Sequence, residues 1–318
     1  MSKRVIVTDA IFPDVEQERT AAETGGARFE SFQCKTAEDV TTAAQGADVA
    51  FVQFAPFTDA AAIAMNSGGT VIRYGVGYDN IDVESARTAG LKVGYIPDYC
   101  TDEVADHTAA LALSLLRRLP GLDASVRAGE WAAVKHAKPL KPFGETVLGF
   151  FGMGQIGTAV LALLKAFGFQ FIVADPGITD AQAAEQGVRK VHAQTLLAEA
   201  DLITCHAPAT SGTTGFFDAK AFTQMKSTAY LVNTARGQLI NETDLATALH
   251  DGAIAGAALD VFETEPLPND SPLRGAPNLT ITPHAAWYSD AAIDRLQRLA
   301  ATDITRALNG EDPRKPVP

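Results

Sequence analysis

Residues 145–175 read ETVLGFFGMGQIGTAVLALLKAFGFQFIVAD, and this stretch decides the fold. Val147, Leu148, Phe150 and Phe151 form the short apolar run of a strand buried on both faces. Gly152, Gly154 and Gly157 follow at G-x-G-x-x-G spacing, then 158–167 reads as a helix and 169–174 as a second buried strand. Each glycine has a physical task. Gly152 permits the tight turn, Gly154 lets the backbone approach a pyrophosphate, and Gly157 lets the helix pack close to the strand. The helix start leaves N–H groups unpaired, those of Gln155 and Ile156 among them, at the positive end of the helix dipole. That makes an anion site.

The spacing alone is a weak signal. Here a strand precedes it, a helix follows, and Asp175 ends the second strand at about the expected distance. A carboxylate there accepts hydrogen bonds from both hydroxyls of an adenosine ribose. It also repels a 2′-phosphate, which carries a charge of about −1.5 to −2. Pro176, Gly177 and Ile178 follow, with no arginine or lysine to receive such a phosphate, so NAD is the expected cofactor, with Pro176 beside its ribose. A membrane-spanning helix over 146–164 is the competing reading, because the window has no charged residue and is long enough. Four glycines and Gln155 within it argue against a span.

Composition bounds the rest. The chain has 318 residues, 47% of them hydrophobic, which suits two domains with sizeable cores. A formal net charge of −12 disfavours nucleic acid or an anionic membrane as a partner. Cys34, Cys100 and Cys205 show no C-x-x-C spacing and read as reduced thiols of a cytoplasmic protein. The opening MSKRVIVTDA runs into a strand without a secretory h-region.

Through residue 99, short apolar runs at 5–7, 29–32, 49–52, 71–74 and 93–95 alternate with helical segments at 15–24, 37–45, 59–66 and 83–89. Such alternation predicts a doubly wound domain built on a parallel sheet. Within it lies RYGVGYDN, residues 73–80, a second G-x-G with no matching dinucleotide unit. It reads equally as a plain strand-to-helix turn capped by Asp82 or as a carboxylate site. In the second reading the Val76 and Gly77 amides bind the anion, with Arg73 nearby. Residues 101–119 predict one strong helix with Thr101 as N-cap and Arg117-Arg118 in its last turn, ended by Pro120-Gly121. Pro139 and Pro142 mark a linker.

After Asp175 the alternation resumes, with strands at 188–191, 202–204, 228–232, 254–259 and 279–281, helices at 195–200 and 239–250, and a closing amphipathic helix at 289–308. Arg236, Glu265 and His284 each stand just after a strand, where ligands of doubly wound sheets gather. Hydride transfer to a 2-oxo acid needs what they offer. An arginine fork binds a carboxylate and polarises a carbonyl. A histidine delivers a proton near neutral pH, and a carboxylate orients that ring and stabilises its charged form. Taken singly, an arginine is usually a surface residue and a post-strand histidine often a cap; three together downstream of a dinucleotide fingerprint outweigh that.

The segments GFFGMGQIG, LVNTARG, ALDVFETEP, ITPHAAW and RYGVGYDNIDVESARTAG resemble those of the D-isomer-specific 2-hydroxyacid dehydrogenases over nearly the whole chain. The resemblance implies an NAD-dependent enzyme acting on the CH–OH group of a small 2-hydroxy or 2-oxo acid, with Arg236, Glu265 and His284 catalytic. It further implies that Asp260 faces the nicotinamide amide, and that Val76 and Gly77 bind the substrate carboxylate. Val104, His206, Pro208 and Thr213 are implied as cofactor contacts, as are Thr234 and Ala235. The implied fold is two doubly wound, parallel-sheet (Rossmann-like) α/β domains. The NAD domain, 100–286, is inserted into a discontinuous flavodoxin-like substrate domain, 1–99 and 287–318. A homodimer is expected from the same resemblance and from the apolar helix face at 109–116.

The segment PHAAWYSDAAIDRLQRLAATDITRAL is similar to the end of the C-terminal-binding-protein corepressors, in which the residues matching Arg73 and Trp287 line the substrate pocket. A corepressor-like protein that senses NADH is therefore the alternative to an enzyme. No peptide-docking motif or basic nuclear address supports it. Formate dehydrogenases of this superfamily carry glutamine where Glu265 stands, which disfavours that activity. Six histidines and three cysteines without H-E-x-x-H or C-x-x-C spacing give no metal site.

Overall fold

Short apolar runs bounded by turn residues become parallel strands, because each is followed by a helix that carries the chain back to the sheet's starting edge. The computed structural model describes residues 2–318, in two units. One is the chain up to Cys100 together with Tyr288–Pro318; the other is Thr101–Trp287.

In the first unit β1 (Arg4–Val7), α1 (Glu16–Thr24), β2 (Arg28–Ser31), α2 (Ala37–Ala44), β3 (Val49–Val52), α3 (Asp59–Ala64), β4 (Thr70–Arg73), α4 (Val83–Thr88) and β5 (Lys92–Tyr95) alternate. The sheet runs β2-β1-β3-β4-β5, all pairings parallel. Val5, Ile6, Val7, Phe51, Val52, Val71 and Ile72 are buried, as strands covered on both faces require. Helix starts carry the expected signals: Thr36 and Asp39 form a reciprocal capping box before α2, and Asp82 accepts from the Ser85 amide at 3.0 Å before α4. A buried carboxyl, Glu18 on α1, accepts from the Tyr74 hydroxyl at 3.0 Å and from Gln297 Nε2 at 3.3 Å.

The second unit opens with α5 (Thr101–Leu116), α6 (Leu119–Arg127) and α7 (Ala133–Ala137). It continues through β6 (Val147–Phe151), α8 (Gln155–Leu164), β7 (Gln170–Ala174), α9 (Asp180–Glu185), β8 (Arg189–Lys190), α10 (Ala193–Glu199) and β9 (Leu202–Cys205). Then come α11 (Ala219–Gln224), β10 (Tyr230–Asn233), α12 (Glu242–His250), β11 (Gly256–Leu259) and β12 (Leu279–Ile281). The chain returns to the first unit for α13 (Asp290–Leu308), capped by Ser289, which accepts from the Ala292 amide at 2.9 Å. The second sheet runs β12-β11-β10-β9-β6-β7-β8, also parallel. Its order reverses between β6 and β9, the point where such sheets open a crevice beyond their carboxyl ends.

The expected single helix over 101–119 is corrected. Thr101 is the first helical residue, α5 ends at Leu116, and Arg118 takes a left-handed φ of 53° before α6. Pro120 lies in the first turn of α6, where its missing N–H costs nothing, so it starts a helix rather than ending one. The 109–116 face is not surplus either. Ala109, Leu111, Ala112 and Leu115 are buried in their own unit's core with Leu148, Val160, Leu161 and Val232. A run of exposed apolar residues lies further on: Leu119, Val126, Val134 and Trp131, the last 92% exposed.

Candidate active site

The glycine turn follows β6 at the reversal point. Gly152 has φ of 92°, and a Cβ on it would lie 2.5 Å from the Ala207 amide nitrogen beyond β9, so only glycine fits. Gly154 caps α8, and a Cβ built there meets no atom within 4 Å, leaving its backbone open to a ligand. A Cβ on Gly157 would lie 3.2 Å from the Gly152 carbonyl oxygen, which shows how closely α8 packs on the turn. Asp175 holds this geometry from β7: Oδ2 accepts from the Met153 amide at 2.6 Å and Oδ1 from the Gly177 amide at 2.7 Å. Met153, Gly154, Asp175, Gly177, Ile178 and Gln182 line a cavity of about 500 Å³. Each carboxylate oxygen keeps a lone pair for a ribose hydroxyl. The open Gly154 backbone, the helix start and this carboxylate together fit a dinucleotide.

Behind the turn, His206 Nε2 lies 3.0 Å from Thr204 Oγ1, and burial pushes its pKa down to about 3, so the ring is neutral. The Thr213 hydroxyl donates to the Pro208 carbonyl at 2.6 Å and fixes that loop. Thr234 pairs with Thr108 of α5 at 2.7 Å. Buried Asn233 orders the next segment, its Oδ1 accepting from the Ala235 amide at 3.0 Å while Nδ2 donates to the Arg236 carbonyl at 2.7 Å. Arg236 Nη1 donates to the Ala235 carbonyl at 2.6 Å. Gly237 lies against the Phe262–Glu263 peptide so closely that any Cβ would overlap the Phe262 carbonyl.

Glu265 and His284 meet: Nδ1 lies 2.6 Å from Oε2, while Oε1 accepts from the Phe262 amide at 2.9 Å. Burial pushes the Glu265 carboxyl up. The hydrogen bond to His284 and its charge more than offset this, with smaller help from Phe262 and Arg236, and hold it below the usual range. His284 takes a left-handed φ of 50°, an uncommon conformation for a side-chain-bearing residue.

Asp260 shows what holds it there. Its carbonyl accepts from the His284 amide at 2.8 Å. Its carboxylate accepts from the Thr282 hydroxyl at 2.5 Å, the Ala285 amide at 2.8 Å and the Ala286 amide at 2.9 Å. The side chain is fully buried, and its carboxylate clamps the histidine loop. The same loop ends in Trp287, which is buried. Val104 on α5 is buried as well.

In the first unit, the Arg73 guanidinium stands 5.7 Å from the Phe54 ring centroid, in cation–π range, and folds over Gly75, whose φ of 143° and missing Cβ make room for it. The Asp9 carboxylate accepts the amides of Gln53, Phe54 and Ala55 at 3.1, 2.6 and 3.1 Å, so Phe54 is rigidly presented. The Val76 and Gly77 amides have no hydrogen-bond partner among the described residues.

Asn233, Thr108, Thr282, His107 and Asp9 escaped the sequence reading. All but Asn233, which bonds Ala235 and Arg236 just after it, act across strand ends, and no local pattern marks such partners. Among the described residues no cluster of ligating side chains could hold a metal, and no helix is long and apolar enough to cross a membrane.

Residues 109–286 match the family model described as "D-isomer specific 2-hydroxyacid dehydrogenase, NAD binding domain". A glyoxylate reductase of Korarchaeum cryptofilum is 38% identical over 247 residues, covering 76% of this chain and 74% of that protein. Among solved structures, the D-lactate dehydrogenase of Aquifex aeolicus complexed with NAD and lactic acid superposes with a TM-score of 0.85 at 25% identity, over 96% of each chain. An acyclic imino acid reductase in complex with NADPH and D-Arg gives a TM-score of 0.85 at 26% identity over 100% of each chain.

Proposed function

The chain belongs to the D-isomer-specific 2-hydroxyacid dehydrogenase family and is an NAD-dependent oxidoreductase of 2-hydroxy and 2-oxo acids, and from that premise we propose that it reduces a small 2-oxo acid with an uncharged side chain. The observation that carries the catalytic assignment is the 2.6 Å contact between His284 and Glu265.

When bound, the dinucleotide supplies the hydride. The α8 amides of Gln155, Ile156 and Gly157 hold its pyrophosphate, and Asp175 holds its adenosine ribose. Arg236 binds the substrate's carboxylate and polarises the carbonyl. His284, its Nδ1 engaged by Glu265, delivers a proton from Nε2 to the carbonyl oxygen as the alkoxide develops. Glu265, held as a carboxylate, keeps that ring oriented and favours its protonated form. The unpartnered Val76 and Gly77 amides and Arg73 are assigned to the acid group, and Trp287 to the substrate's side chain. A phosphorylated tail would need a further cationic clamp.

We place the protein in the cytoplasm on its three free cysteines, and we assign it a homodimer on the exposed apolar residues of 119–134. The relatives named above are enzymes, and none favours the corepressor alternative. A panel of 2-oxo acids, with glyoxylate first, followed by NADH oxidation, tests the reading. His284→Ala should lower kcat by about 10²–10⁴ while leaving the fold intact by circular dichroism. Near-wild-type turnover in that variant would remove His284 from the mechanism.

A further inference from the structure

The sheet of the first unit, β2-β1-β3-β4-β5, reverses its order between β1 and β3, so the carboxyl ends of those two strands form that unit's own crevice. Buried Asp9, two residues beyond β1, spans the reversal. Its Oδ1 accepts from the Gln53 amide at 3.1 Å, and its Oδ2 from the amides of Phe54 at 2.6 Å and Ala55 at 3.1 Å. The Thr8 hydroxyl lies 2.7 Å from Oδ1. Three successive amides converging on one carboxylate make an anion nest, here filled by the chain itself. The loop is braced from two further sides. Gln53 Oε1 accepts from the Ile11 amide at 2.8 Å, and Asn80 Nδ2 donates to the Ala55 carbonyl at 2.9 Å. Gln53 and Ala55 are buried, yet Phe54 between them is 43% exposed. A rigid, buried frame thus holds one exposed aromatic ring.

That ring seats a cation. The Arg73 guanidinium, at the end of β4, stands 5.7 Å from its centroid and also closes on Gly75, where a Cβ would lie 2.3 Å from Nη1. We propose that Asp9 is a positioning residue for substrate binding: by holding the 53–55 loop it fixes the Phe54 ring, and through that ring the Arg73 guanidinium that receives the substrate's acid group. A long arginine side chain loses rotamer freedom when it engages a ligand, so seating it beforehand lowers the cost of binding. Asn80, which braces the Ala55 carbonyl, ends the 73–80 segment that carries the Val76 and Gly77 amides. The guanidinium and those amides therefore share one frame. This inference rests on the assignment of Arg73 to the acid group.

The test is steady-state reduction, at saturating NADH, of the 2-oxo acid that the wild type turns over fastest, with single and double variants of the full-length protein. Arg73→Met should raise KM. Asp9→Asn keeps the side chain's shape but replaces one acceptor oxygen with a donor. It should raise KM about twofold to fivefold, the worth of a cation–π contact, and leave kcat and NADH affinity unchanged. In the Arg73→Met background Asp9→Asn should add nothing, because its effect passes through the guanidinium. Phe54→Leu removes the ring and leaves the loop amides on Asp9; it should match Asp9→Asn and likewise lose its effect without Arg73. That variant decides the matter if Asp9→Asn does not fold. A folded variant of either kind with wild-type KM would overturn the proposal, as would a loss that persists undiminished in the Arg73→Met background. An Arg73→Met enzyme with wild-type KM would instead remove Arg73 from substrate binding, and this inference with it.

Discussion

Glu265 can be neutralised without changing its shape, which makes it the sharpest residue-scale test. Its carboxyl is held below the usual range chiefly because His284 outweighs the opposing effect of burial. A lowered value means that its stabilisation of the fold is present above the ordinary glutamate range, near pH 4.5, and is lost as pH falls through the lowered value. Glu265→Gln removes the charge that favours the protonated ring. The alkaline limb of the kcat/KM profile for reduction should therefore move to lower pH, with activity partly retained. An unmoved limb would show that the carboxylate only positions the ring. Arg236, Glu265 and His284 could be picked out in the sequence because each follows a strand that an apolar run had already located. Thr282 and His107 could not, since their meaning lies in partners 22 to 175 positions away. Asp260 was located, but the three protein donors around it, which come from a later loop, could not be read from its own segment.

Every apolar run of the sequence became a strand, because strands buried on both faces need continuous hydrophobicity and little else. Short helices were less legible. The six-residue α9 and α11 went unread, although Thr179 with Gln182 spells a capping box and Asp218 caps α11, accepting from the Ala221 amide at 2.8 Å. The packing of α1 on α13 yields a prediction of its own. Burial, together with a nearby charge on Asp14, raises the Glu18 carboxyl to about 7 against the bonds it accepts. Raised values reverse the sign found for Glu265. The favourable state is fully present below about pH 4.5 and is lost as pH rises through about 7. Glu18→Gln, which cannot ionise, should therefore gain stability relative to wild type between pH 5 and 8, by up to about 3 kcal/mol. Urea unfolding at several pH values reads that difference, and parallel curves would exclude an ionising Glu18.

For the whole molecule, Leu119, Val126, Trp131 and Val134 are too much exposed apolar surface for a chain whose other large side chains are mostly covered. A second copy covering them accounts for the exposure. Light scattering at micromolar concentration should give twice the 33.5 kDa of one chain, and Trp131→Glu with Val134→Glu should halve that mass. A wild-type mass of one chain would refute the dimer. The relevant face was misjudged from sequence because α5 is apolar on several sides, and periodicity cannot say which sides its own core takes.

Gly237 imposes a further consequence on the whole design. Its φ is unexceptional; what excludes any side chain is the Phe262–Glu263 peptide lying against it. The segment bearing Arg236 and the segment bearing Glu265 are thus seated backbone to backbone. Neither can drift in an evolving lineage without the other, and a graft of one from a relative into this scaffold would leave its counterpart unseated. Diversification of such a chain must fall on segments with slack, while these two are inherited as a single unit.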